Sequence, residues 1–102
     1  MWIAAAESRL PYVVGKRAQA PVGSVVRLEV TDHAPATVAV GEDGRGRFAT
    51  PEDGEPTVTL AMDRETFVLL AGGRRTAAAD DVRLTGDTEL GERVVASLGV
   101  TP

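Results

Sequence analysis

The sequence predicts an α+β domain of two layers, with helices on one face of a roughly five-stranded, mainly antiparallel sheet. Three observations predict it. Short segments alternate apolar and polar residues with period two, as half-buried strands do. Two later segments carry apolar residues at helical spacing behind an aspartate placed to cap a helix. The connections between the first strands are short and rich in Asp, Gly and Pro, the composition of tight turns between antiparallel neighbours. With 102 residues, 43% of them apolar, the chain fits one domain around one core, spanning residues 1–102.

The elements follow in order. Residues 2–9 are rich in helix formers, and Pro11 ends that segment or opens a further turn through Tyr12, Val13 and Val14 to Lys16, so that residues 1–18 form an N-terminal helical segment. A break at residues 20–23 (APVG) leads to SVVRLEVT, residues 24–31, with Val26, Leu28 and Val30 on one side and Arg27 and Glu29 on the other. The turn residues Asp32-His33-Ala34-Pro35 precede a strand over residues 37–40, and Glu42-Asp43-Gly44 precedes another over residues 45–50, with Phe48 as its inward anchor. The loop PEDGEP interrupts before a fourth strand, residues 57–61, whose Val58 and Leu60 share a face with Met62. Asp63 caps a helix with the stripe Phe67, Leu70 and Ala71, closed by Gly72 or Gly73. A fifth strand, residues 82–85, points Val82 and Leu84 inward and Arg83 outward. Gly86-Asp87 then opens a last helix with the stripe Leu90, Val94, Val95 and Leu98, stopped by Gly99.

Composition excludes several classes of function. Aromatic residues are 4% of the chain, too few for a base-stacking platform, and the net charge of -4 lacks a basic footprint for phosphate neutralisation. No nucleic-acid role is expected. The absence of cysteine removes disulfides and thiol catalysis. The apolar start MWIAAAE has no preceding basic residues and meets Pro11 too soon for a spanning helix, so no membrane role is expected and the chain reads as cytoplasmic.

The candidate residues each have a plain structural reading. His33 and Ser24 lie near opposite ends of one strand, roughly 25–30 Å apart when extended, too far to act as a pair. His33 is therefore read as a turn residue. The adjacent acids Asp80 and Asp81, and Glu52 and Asp53, are read as solvated loops without acid/base spacing. Arg27 and Arg83 fall on the sheet face away from the helices, near Glu29, Thr37, Thr57, Thr59 and Thr85. That face either meets water or forms an interface. Arg74 and Arg75 follow a glycine stop, where cations also complement a helix dipole.

Three segments, RLPYVVGKRA (9–18), TVTLAMDRETFVLLAGGRR (57–75) and VRLTGDTELGERVVASLGVTP (82–102), resemble the C-terminal domain of mycothiol-dependent maleylpyruvate isomerase-type proteins, which is itself similar in fold to sterol carrier protein 2. The resemblance covers nearly the whole chain and is strongest in the last half. It implies an SCP2-like, accessory, substrate-orienting domain that is not catalytic alone. Full-length relatives add a DinB-like helical bundle that binds a divalent metal and organises mycothiol. This chain shows no such bundle, its one histidine is no metal set, and its start reads like the tail of a linker from a missing N-terminal domain. Relatives also contribute an arginine from this domain to the shared active site. Arg83 is the preferred counterpart, with Arg74 and Arg75 as rivals. The sterol-carrier side implies a tunnel lined by Phe67, Leu70, Leu90, Val94 and Leu98, residues that any small core would also use. Stand-alone carriage of an apolar or acyl ligand, and structural homodimerisation through the open sheet face, are the alternative readings.

Overall fold

A computed structural model describes residues 9–71 and 82–97. The helix expected over residues 2–9 therefore lies, Arg9 apart, outside the described residues, as do the glycine stops at Gly72, Gly73 and Gly99. The described chain opens with a short helix, α1 (Leu10–Tyr12), Pro11 sitting where its missing N–H costs nothing. It passes directly into a π-helical turn, Val13–Arg17. The hydrogen bonds widen along it: Val13 N–H donates to the Arg9 carbonyl at 3.0 Å, Ala18 N–H to Val13 at 2.8 Å and Ala20 N–H to Val14 at 3.1 Å. Gln19 ends the turn in the left-handed region at φ 53°.

Five strands form one sheet: β1 (Val25–Val30), β2 (Ala36–Val40), β3 (Gly46–Phe48), β4 (Val58–Met62) and β5 (Arg83–Gly86). Their spatial order is β3-β2-β1-β4-β5. All neighbours are antiparallel except the central pair, β1 and β4, which run parallel with Val26 opposite Val58, Leu28 opposite Leu60 and Val30 opposite Met62. These rows continue outward to Val38 on β2 and Leu84 on β5. The helices α2 (Arg64–Ala71) and α3 (Thr88–Ser97) complete the second layer. Their Phe67, Leu70, Leu90 and Val94 join Leu10, Val14 and the sheet rows in one buried apolar cluster. Each such side chain contributes about 1.5–3 kcal/mol through burial. The alternation anticipated for β1, β4 and β5 is the one observed.

Both helix caps form as their aspartates suggest. Asp63 Oδ1 accepts from Thr66 N–H at 2.7 Å, and Asp87 Oδ1 from Leu90 N–H at 3.1 Å. Gly86 has φ 98° and lies against the Thr57 carbonyl, where no Cβ fits. A long-range clamp ties the two ends of the fold together. Arg93 of α3 donates to the Ala18 carbonyl from Nε at 3.1 Å and from Nη2 at 2.9 Å, and to the Gln19 carbonyl at 2.7 Å. It thus satisfies the carbonyls at the end of the π-helical turn.

The edge strand departs from expectation. Phe48 is not an inward anchor: the residue is 50% exposed although it pairs with buried Val38. The helical segment over this edge seats on Gly46, whose α-carbon lies against the Pro11 carbonyl. Phe48 is two residues further along a strand with no neighbour beyond it. The connection from β3 to β4 also has a structural role. It must pass across β2 and β1, and the helices occupy one face. Val25 and Ala39 point to the other face and are nonetheless buried, and Thr57, at the end of the crossing chain, bonds Val25 twice: its N–H donates to the Val25 carbonyl at 2.7 Å and its hydroxyl accepts from Val25 N–H at 3.0 Å. Asp53 is accordingly no free loop carboxylate. It holds the Arg47 guanidinium through bonds of 2.8 and 2.9 Å and accepts from Thr50 N–H at 2.7 Å. Glu52 is exposed, as read from the sequence.

Two outcomes are expected. Gly46→Ala forces a methyl into the Pro11 carbonyl and should destabilise the fold by about 1–3 kcal/mol, read from denaturant unfolding. The second concerns acid. Hydrogen bonds from Arg47 and Thr50 hold the Asp53 carboxyl well below the usual carboxylate range. A group whose folded pKa is depressed stabilises above its unfolded value of about 3.9 and loses that contribution as pH falls further. The Tm gap between the native sequence and Asp53→Asn should therefore be widest near neutrality and narrow below about pH 4.

Candidate functional site

The parallel pairing brings the C-terminal ends of β1 and β4 side by side. Thr31 N–H donates to the Met62 carbonyl at 3.0 Å and joins the two exits. The chain then turns sharply after β1: Asp32 adopts φ 62° and His33 N–H returns to the Val30 carbonyl at 3.0 Å. After β4 the chain enters α2 through its cap, Asp63. Because β5 is antiparallel to β4, it begins where β4 ends, with Arg83 opposite Ala61. A cleft of about 710 Å³ opens at this end of the sheet, and its walls include Glu29, Thr31, His33, Met62, Asp63 and Arg83.

Charge in this cleft is unevenly committed. Glu29 is engaged by Arg27, whose Nε approaches its Oε2 at 2.7 Å. The Asp63 carboxylate is taken up by the backbone N–H and then the hydroxyl of Thr66, which hold its pKa below the ordinary value. Arg83 is exposed, and its guanidinium makes no hydrogen bond or ion pair among the described residues. A planar guanidinium on an open wall, beside carboxylates occupied elsewhere, can receive a carboxylate from solution in a fork of two bonds. Among the described residues no three His, Cys, Asp or Glu side chains group to hold a metal ion.

The sequence-derived candidates separate cleanly. Arg83 stands on the cleft wall. Arg27 lies on the same sheet face, opposite Thr37 and Thr59, with its ion-pair partner two residues on. His33 occupies its turn and also borders the cleft. Ser24 is buried at the far end of β1, its carbonyl bonded to Val40 N–H at 2.9 Å, so the two do not meet. Phe67, Leu70, Leu90 and Val94 are buried in the core and do not border this cleft. Leu98, Arg74, Arg75, Asp80 and Asp81 lie outside the described residues. The contributions of Thr31 and Asp63 escaped sequence reading, since only the parallel pairing places them beside Arg83. No described helix is long and apolar enough to cross a membrane.

Comparison with known proteins identifies the family and the fold. Residues 4–93 match the family model of the MDMPI C-terminal domain. Among solved structures, a UbiJ-SCP2 ubiquinone synthesis protein superposes with a TM-score of 0.62 at 17% identity, over 93% of this chain and 86% of that one. Palmitated SCP2L2 from Aedes aegypti gives 0.58 at 17% identity, covering 93% and 92% of the two chains. The crystal structure of sterol carrier protein 2 like 2 from the same organism gives 0.55 at 16%, covering 91% and 93%. The fold is thus SCP2-like. Comparison with curated proteins found no match.

The unequal commitment of these charges is testable by stability. Asp63→Ala removes a helix cap and should cost about 1 kcal/mol. Arg83→Ala removes no hydrogen bond or ion pair among the described residues and should stay within about 0.5 kcal/mol of the native sequence in the same denaturant titration.

Proposed function

The chain belongs to the MDMPI C-terminal domain family, and on that premise we propose that it is the accessory, substrate-orienting domain of a mycothiol-dependent isomerase- or transferase-type protein. By itself it is silent in catalysis. The observation that carries the reading is Arg83: an exposed cation without a hydrogen-bond or ion-pair partner among the described residues, on the wall of a cleft whose two described carboxylates are already engaged. Its task is to bind and orient a substrate carboxylate. A DinB-like bundle, in the same polypeptide or a separate one, supplies the rest of the site in the cytoplasm. The divalent metal and the activation of mycothiol belong to that bundle, and no metal step is assigned to this chain, whose described residues hold no group of three metal-ligating side chains.

The palmitated Aedes aegypti structure favours a second reading, a carrier of an apolar or acyl ligand. Its lining would be Phe67, Leu70, Leu90, Val94 and Leu98. The first four fill the core here, so a guest would have to displace packed side chains at a cost of several kcal/mol, on the order of 2–5 for each large side chain unseated. The open sheet face would serve a homodimer, the third reading. It is the least supported, because Val25 and Ala39 on that face are already buried within the single chain.

Arg83→Ala, assayed together with a metal-loaded mycothiol-dependent bundle, should lower turnover by at least about tenfold, the loss of a charge-assisted contact, with the melting temperature unchanged. Full residual activity would remove Arg83 from the site.

A further inference from the structure

A second cleft, of about 380 Å³, lies at the opposite end of the sheet on the helix side. One wall is the first helical segment, with Tyr12, Gly15 and Lys16. The other is the β2–β3 hairpin, with Gly44, Arg45 and Gly46. Lys16, Arg45 and the Tyr12 ring have no role in the fold or in the site described above. The wall containing Gly15 and Lys16 is a π-helical turn, a rare geometry that recurs at functional sites. The two walls approach backbone to backbone: a Cβ on Gly15 would stand 2.5 Å from Gly46 N and 3.2 Å from the Gly44 carbonyl. Lys16 and Arg45 are both exposed, and neither side chain has a hydrogen bond or ion pair among the described residues. Tyr12 is 53% exposed, in a chain with one tyrosine and few aromatics.

Charge sets this cleft apart from the first. Among the described residues its walls include two cations and no carboxylate, whereas Glu29 and Asp63 border the other. The nearest hairpin acid, Asp43, is turned onto the hairpin's own backbone, accepting from Arg45 N–H at 3.0 Å. Two unneutralised cations beside a half-exposed phenol ring, in a protein of net charge -4, are poorly explained by solubility.

We propose that this cleft binds a small organic anion, a carboxylate or phosphate carried on a flat apolar body. The Arg45 guanidinium takes two of its oxygens in a fork and Lys16 adds a mobile point charge. The apolar body lies on the Tyr12 ring. Arg83, at the other end of the sheet, has no part in this binding.

The test uses the 102-residue chain, ¹⁵N-labelled, titrated with phenyl phosphate. Saturable amide shifts are expected at Gly15, Lys16 and residues 44–46. Benzoate in a parallel titration distinguishes carboxylate from phosphate, and inorganic phosphate isolates the charge contribution. Lys16→Gln with Arg45→Gln should weaken phenyl phosphate by about tenfold or more, the loss of charge-assisted bonds. Tyr12→Ala should weaken it by roughly threefold to tenfold while leaving inorganic phosphate unchanged. Arg83→Ala should leave both unchanged, which separates this site from the function proposed above. Shifts absent from the cleft, or persisting in the double variant, overturn the assignment. So do shifts produced by raising protein concentration alone, which would make the cleft a contact between copies.

Discussion

The parallel pairing of β1 with β4 is the constraint on which the rest of the molecule depends. Two strands that run the same way cannot be joined by a tight turn. The chain must first travel out through β2 and β3 and then cross back. The return stretch therefore passes across the sheet face opposite the helices, where Arg47, Asp53 and Thr57 fasten it. The same pairing puts both C-terminal strand ends at one place. Two chain exits, with the turn at Asp32 and the cap at Asp63, then leave the open space between them that a single hairpin would have closed.

Around that centre the two layers are joined by small residues and one long side chain. Gly46 and Gly15 let the first helical segment settle against the hairpin backbone, and Gly91 of α3 packs directly against Leu84 and Val58. Arg93 reaches from the last helix to the carbonyls that close the π-helical turn, so the end of the chain stabilises an irregular beginning. The irregular elements sit beside the two clefts, and the regular ones sit behind them. Binding groups held on a rigid sheet and exposed at its two ends fit this division.

Much of this fold was legible in the sequence, and the physics says why. Period-two alternation marks the facing of Val26, Leu28, Val58 and Leu60 whatever their neighbours, and an aspartate before an amphipathic run marks a cap, as Asp63 and Asp87 both confirm. Strand direction is a different matter. Alternation is identical in parallel and antiparallel pairs, so nothing in residues 24–31 or 57–61 reveals that they run together. Phe48 misled because an aromatic in a strand normally faces a core, and only the sheet order shows that its strand is an outer edge. The outward facing of Arg83 was readable. Its companions Thr31 and Asp63 were not, because they join it only through the parallel register. Lys16 and Arg45, far apart in sequence, gave no signal that they flank one cleft.

Both the cleft at Arg83 and the crossing chain therefore stand or fall with the central pair. Backbone nuclear Overhauser contacts in the labelled chain read it directly. A parallel β1–β4 pair gives cross-strand contacts between Arg27 and Thr59 and between Glu29 and Ala61, with residues 46–48 remote from residues 58–62. Contacts between those last two segments instead would show a simple meander, with β4 beside β3. The exits of β1 and β4 would then lie apart, and the site at Arg83 would not exist.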